Sequence, residues 1–143
     1  MPNHKTILVP TDFSEASARA LEYAADFARM MTAKLLIVHV HAGPNADAGE
    51  GMLHSGVEFA NADLLTRRLE STKPKKDDVP ISHGLLRGDA GEEILRVATE
   101  QDIDLIVMAT HGHTGLTRTL MGSVAEYVLR RSTCPVMTIK VTK

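Results

Sequence analysis

The stretch "KTILVPTDFSEASARALEYAADFARMMTAKLLIVHV", residues 5–40, holds two short apolar runs on either side of a segment with helical period. The outer runs, KTILVP (5–10) and AKLLIVHV (33–40), are apolar at successive positions rather than alternating, as in strands buried on both faces of a parallel sheet. Between them, residues 14–31 place Ala20, Leu21, Ala24, Phe27, Ala28 and Met31 on one helical face. Glu15, Arg19, Glu22, Asp26 and Arg29 fall mostly on the other, so the segment predicts a helix covering a sheet. Strand, helix and strand in this order form a right-handed crossover unit.

The same grammar continues outward. VPISHGLL (79–86), IDLIVMAT (103–110) and PVMTIKV (135–141) read as three further strands. A helix is expected from about 57 to 72. Another is expected in DAGEEILRVATEQ (89–101), where Asp89 and Glu92 have the spacing of a capping box. The last, from about Ser123 to Arg131, ends in two arginines that suit a helix C-terminus. Alternation over the whole chain predicts a single doubly wound α/β domain spanning residues 1–143, with helices on both faces of the sheet. HAGPNADAGEGMLHSG (41–56), rich in Gly and Ala, is expected to be an excursion over the ligand edge.

With 43% apolar residues, 143 residues suffice for one core. Lys and Arg number 16 against 18 Asp and Glu, a balance without the basic footprint of a nucleic-acid or anionic-membrane binder. An anionic ligand would therefore have to be held by local geometry. No apolar run approaches the roughly 18 to 20 residues that span a bilayer, and the N-terminus lacks the apolar core and small-residue cleavage site of a secretory signal. A cytoplasmic location is the resulting expectation. Cys134, the one cysteine, precedes Pro135 at the start of an apolar run and suits a small buried residue better than a nucleophile.

Ligands of open α/β sheets bind beyond the C-terminal ends of the strands, where the winding reverses. That rule selects PTDFS (10–14), HVH (39–41), RGD (87–89) and the loop after the fourth strand. The loop is the richest in chemistry. Gly112, Gly115 and Gly122 let backbone N–H groups approach a ligand closely, and Thr110, Thr114 and Ser123 add hydroxyls. Gly122 and Ser123 stand where a helix begins, with free N–H groups and the positive end of its dipole, which suits phosphate. The alternative is a glycine-rich connection with Ser123 as an N-cap. It is neither a Walker P-loop nor a first-crossover Rossmann fingerprint.

VMATHGHTGLTRTLMGSVAEYVLRRSTCPVMTIK (107–140), together with ILVPTDFSEASARALEYAADFA (7–28), resembles the universal stress protein family over essentially the whole chain. The nucleotide-binding branch of that family carries Gly-x2-Gly-x9-Gly-Ser/Thr after the fourth strand. Here the spacing is kept by Ala109, Gly112, Gly122 and Ser123, with Ala109 replacing the first glycine. The resemblance implies strand order 3-2-1-4-5 and ATP or a related adenine nucleotide as ligand, with or without Mg²⁺. It further implies that Pro10, Thr11 and Asp12 line the adenine and ribose end and that Val40 packs on the base. Met108 and Ala109 would approach the nucleoside, while Gly112, Gly122, Ser123 and Val124 would cradle the phosphates. Asp12 could instead serve only as a turn residue, and Val40 and Met108 as ordinary core. If position 109 needs positive φ or the closest backbone approach, the extra methyl costs binding; if it is extended, alanine is tolerated.

The resemblance also implies a homodimer through the last strand, with Val136, Met137, Ile139 and Val141, at a sheet edge open to pairing. The functional expectation is a stress-response sensor or regulator, and the alternative is a nucleotide-independent protein-interaction module. His39 and His41 share a strand face and His111 and His113 lie in the loop, but neither pair has the Cys or carboxylate partners usual at zinc sites. No catalytic set is visible: beside the loop only Arg118 offers a cation for phosphoryl transfer, so slow ATP hydrolysis is the most expected. An electron-transfer flavoprotein would share the architecture, but 3% aromatic residues and no Trp leave little to stack a flavin.

Overall fold

The computed structural model describes residues 5–41, 55–110 and 122–140. In chain order they form β1 (Lys5–Pro10), α1 (Glu15–Met31), β2 (Ala33–His41), α2 (Ser55–Glu70), β3 (Ile81–Arg87), α3 (Ala90–Glu100), β4 (Leu105–Ala109), α4 (Ser123–Arg131) and β5 (Val136–Ile139). The five strands make one parallel sheet in the order β3-β2-β1-β4-β5, the order that the resemblance implies for the doubly wound fold. Most of the 41–56 stretch, and Val141, lie outside the described residues.

The successive apolar positions of each strand divide between two layers, because neighbouring side chains leave a strand on opposite faces. Ile7, Val9, Leu35, Ile37 and Val107 pack with the alanine-rich face of α1 and with Leu69 of α2. Leu8, Val38, Ile106 and Met108 pack instead with Ile94 and Val97 of α3 and with Ala125 and Val128 of α4. The small residues Ala20, Ala24, Ala25 and Ala28 bring α1 close to the sheet, and all four are buried.

Local chemistry sets the element ends. Ser14 caps α1, its Oγ accepting from Ser17 N at 3.1 Å. Asp89 caps α3 in the same way, accepting from Glu92 N at 3.0 Å. One turn into α3, the Arg96 guanidinium hydrogen-bonds the Glu93 carboxylate and holds it below the ordinary carboxylate range. β3 begins two residues later than the apolar pattern suggests: Pro80 has no N–H to add to the ladder and contributes only its carbonyl, which accepts from Leu35 N at 2.9 Å. β4 likewise starts at Leu105, after Asp104 clips it to β1 by donating from N to Thr6 O (3.0 Å) and accepting Thr6 N–H on Oδ2 (2.8 Å). No helix among the described residues is long and apolar enough to cross a membrane.

Candidate functional site

The strand order puts the winding reversal between β1 and β4, and a cleft of about 280 Å³ opens beyond their C-terminal ends. Pro10, Thr11 and Asp12 reach it from the β1 turn, Val40 from β2, Met108 and Ala109 from β4, and Gly122, Ser123 and Val124 from the start of α4. Those are the residues singled out in the sequence, with one gap. Gly112, like Thr114, Gly115, Arg118, His111 and His113, lies outside the described residues.

The β1 turn is held by its own side chains. Thr11 donates its N–H to Val38 O at 2.8 Å, and its Oγ1 accepts from Phe13 N at 3.0 Å. That Oγ1 also lies 3.0 Å from Ser17 Oγ, whose proton goes to Ser14 O at 2.9 Å, so Thr11 is the donor of the pair. The Thr11 hydroxyl is therefore consumed by the turn. Asp12 Oδ1 accepts from Ser14 N at 3.0 Å, which makes the carboxylate a turn residue while it also lines the cleft.

On the opposite side, Gly122 rather than Ser123 is the N-cap of α4, with φ −64° and ψ 154° and no side-chain cap. Its N–H goes to Thr110 O at 2.6 Å, and its carbonyl accepts the first helical bond, from Glu126 N at 3.0 Å. The amides of Ser123, Val124 and Ala125 consequently open the helix without an intrahelical acceptor, at the positive end of its dipole. All three residues border the cleft.

Ala109 is the last residue of β4, paired with Ile139, and is not among the described residues at positive φ. The extended alternative holds, and the methyl does not conflict with the backbone. It points to the α1 layer, among the residues packed on that core, whereas Met108 points to the α3 and α4 layer.

Sequence reading missed four lining residues: Ser17, Ala90, Ile94 and Ala125. They come from helices packed over the strand ends. Ile94 is on the inward face of α3, a position that periodicity identifies as core without revealing that it meets Val40 and Met108 at a cleft. His39 also lines the cleft, and its Nδ1 lies 2.8 Å from Thr11 O. Among the described residues no group of three or more His, Cys, Asp or Glu is arranged to hold a metal ion. Among the described residues the site thus combines an apolar wall of Val40, Ile94 and Met108, one carboxylate and a set of backbone donors at a helix start. It can hold a ligand that is apolar at one end and anionic at the other.

A model of the universal stress protein family matches residues 3–140. The chain is 33% identical over 146 residues to Universal stress protein MJ0531 of Methanocaldococcus jannaschii, an alignment covering 98% of this chain and 84% of that one. Among solved structures, universal stress protein UspA from Lactobacillus plantarum superposes with a TM-score of 0.76 at 24% identity, covering 97% of this chain and 99% of that one. A universal stress protein crystallised in complex with cAMP superposes with a TM-score of 0.65 at 25% identity, covering 99% of this chain and 100% of that one. Sheet order and family match agree over nearly the full length, and the chain belongs to the universal stress protein family.

Proposed function

We propose that the chain is a single-domain adenine-nucleotide-binding module, residues 1–143, that acts in the cytoplasm as a stress-response sensor or regulator through a dimer. The observation that carries this reading is the meeting, at the winding reversal, of an apolar wall with the open N-terminus of α4. An adenine base is accommodated by Val40, Ile94 and Met108, and phosphate oxygens accept from the amides of Ser123 and Val124 in the manner of anions at helix starts. Pro10, Thr11 and Asp12 contribute the ribose side, with Asp12 the polar contact. Gly112 is assigned to the phosphate cradle on its spacing alone. A related universal stress protein holds cAMP, which supports the ligand class.

ATP is the nucleotide proposed, and bound Mg²⁺ would supply charge neutralisation of its phosphates. Binding rather than turnover is the role, with slow hydrolysis at most a side activity. The dimer is assigned to the β5 edge, with Val136, Met137, Ile139 and Val141.

The test is to purify the protein without added nucleotide, denature it, identify released small molecules by mass spectrometry, and titrate the emptied protein with ATP. Recovery of an adenine nucleotide, or saturable binding, is expected. A protein that is empty and fails the titration would leave the interaction-only module as the better reading.

A further inference from the structure

Asp12 stands between two residues that are both held by His39. On one side, His39 Nδ1 lies 2.8 Å from Thr11 O. A carbonyl only accepts, so Nδ1 carries the proton and donates it. On the other, the Phe13 ring packs on the imidazole at a centroid distance of 4.5 Å and a tilt of 39°. The Arg68 guanidinium of α2 lies over the Phe13 ring at 4.4 Å from its centroid.

Phe13 has φ +66°, in the left-handed region that bulky residues avoid. Such a conformation persists only where its surroundings over-determine it. Part of this comes from the turn itself, where Thr11 Oγ1 accepts from Phe13 N and Asp12 Oδ1 accepts from Ser14 N, while the Thr11 N–H is committed to Val38 O. The remaining group of Thr11 that orients the next peptide is its carbonyl, and His39 is its partner.

We infer that His39 is a positioning residue for the ligand cleft: through Nδ1–H to Thr11 O it fixes the Thr11–Asp12 peptide and so aims the Asp12 carboxylate at the sugar side of a bound nucleotide. The ligand part of this inference rests on the function proposed above, whereas the tether itself does not. The two ring nitrogens can be separated by substitution. Asn places an amide donor near Nδ1, Gln places one near Nε2, and Leu supplies neither.

Wild type, His39→Asn, His39→Gln and His39→Leu are titrated with ATP, and the ligand-free proteins are compared through their backbone amide NMR spectra. The expected pattern is affinity within about threefold of wild type for the Asn variant and about tenfold weaker for the other two, on the scale of one hydrogen bond. The amides of Asp12 to Ser14 should be displaced in the Gln and Leu variants and close to wild type in the Asn variant. Combining His39→Leu with Asp12→Ala should add nothing to the loss from Asp12→Ala, because His39 acts through Asp12. Should the Leu variant fail to fold, the Gln variant carries both comparisons.

Equal affinity in all four proteins overturns the inference, as does rescue by Gln but not Asn, which would mean a direct contact through Nε2. Additive losses with Asp12→Ala overturn it too. A wild type that binds no ATP overturns the proposed function instead. The tether is then decided by the amides, upheld if Asn alone preserves them and overturned if Leu leaves them unchanged.

Discussion

At Ala109 the family motif and the backbone make different demands. The motif has glycine there, yet the residue is extended, paired with Ile139, and its methyl packs toward the α1 core. Glycine is needed only where φ is positive or where a Cβ would meet something, and position 109 satisfies the backbone condition as alanine. Ala109→Gly should therefore leave ATP affinity within about threefold and lower stability by roughly 0.5–1 kcal/mol, the usual cost of glycine inside a strand. Urea unfolding and calorimetric titration check the two halves. A tenfold gain in affinity would show that the methyl does stand in the ligand's way.

At the scale of elements, α3 and α4 frame one side of the cleft, and their contact depends on Gly91. A Cβ on Gly91 would lie 2.4 Å from Cδ1 and 2.9 Å from Cγ of Tyr127, whose ring also carries the Arg131 guanidinium at 4.1 Å from its centroid. Contact with Cγ as well as Cδ1 means that a flip of the ring about its own axis gives no relief, so the Tyr127 side chain must leave its rotamer or the helices must move apart. Alanine gains up to about 1 kcal/mol over glycine in a helix interior, less in a first turn, whereas overpacking costs about 1–3 kcal/mol. Overpacking wins, and Gly91→Ala should lower Tm by several degrees, at roughly 2–4 °C per kcal/mol for a chain of this size. Gly91→Ala combined with Tyr127→Ala should be less destabilised than the sum of the two single variants, as a double-mutant cycle by thermal unfolding would show.

The same scale explains what could be read in advance. Strand runs were legible because burial on both faces makes them apolar at successive positions, and the α1 stripe because one-sided burial imposes a period of 3.6. The start of α4 was legible because Gly122 and Ser123 announce a helix start, although the cap proved to be the glycine. Ala90, Ile94 and Ser17 were not legible as cleft residues, since their place depends on how helices cross the strand ends. The positive φ of Phe13 was hidden for a related reason: the residue sits among contacts with Thr11, His39 and Arg68, whose meeting depends on tertiary structure.

For the molecule as a whole, the proposed function requires that an occupied cleft be felt at the proposed dimer surface on β5. β5 is an edge strand, and its register partners in β4 include the cleft residues Met108 and Ala109, paired with Thr138 and Ile139. Ile106 N of β4 donates to Pro135 O at 3.0 Å, and Thr110 N, just past the strand, donates to Ile139 O at 3.1 Å. A parallel ladder alternates, so the intervening Val136 and Thr138 turn their backbone groups to the open edge. The side chains of Val136, Met137 and Ile139 are meanwhile half-buried against the two core layers, which leaves the backbone edge as much of what a second copy would meet. Thr138→Pro removes one outward N–H without touching the β4 ladder, and proline is tolerated on an edge in that orientation. Light scattering at micromolar concentration should give about twice the 15.5 kDa of one chain for wild type and a single chain for the variant. The variant should retain wild-type far-UV circular dichroism. If ATP binding and dimer formation are linked through β4, ATP must also lower the dimer dissociation constant by the factor by which dimerisation tightens ATP binding. A wild type that is monomeric with and without ATP, or a Thr138→Pro variant that remains fully dimeric, would remove β5 as the route by which the cleft reaches a partner.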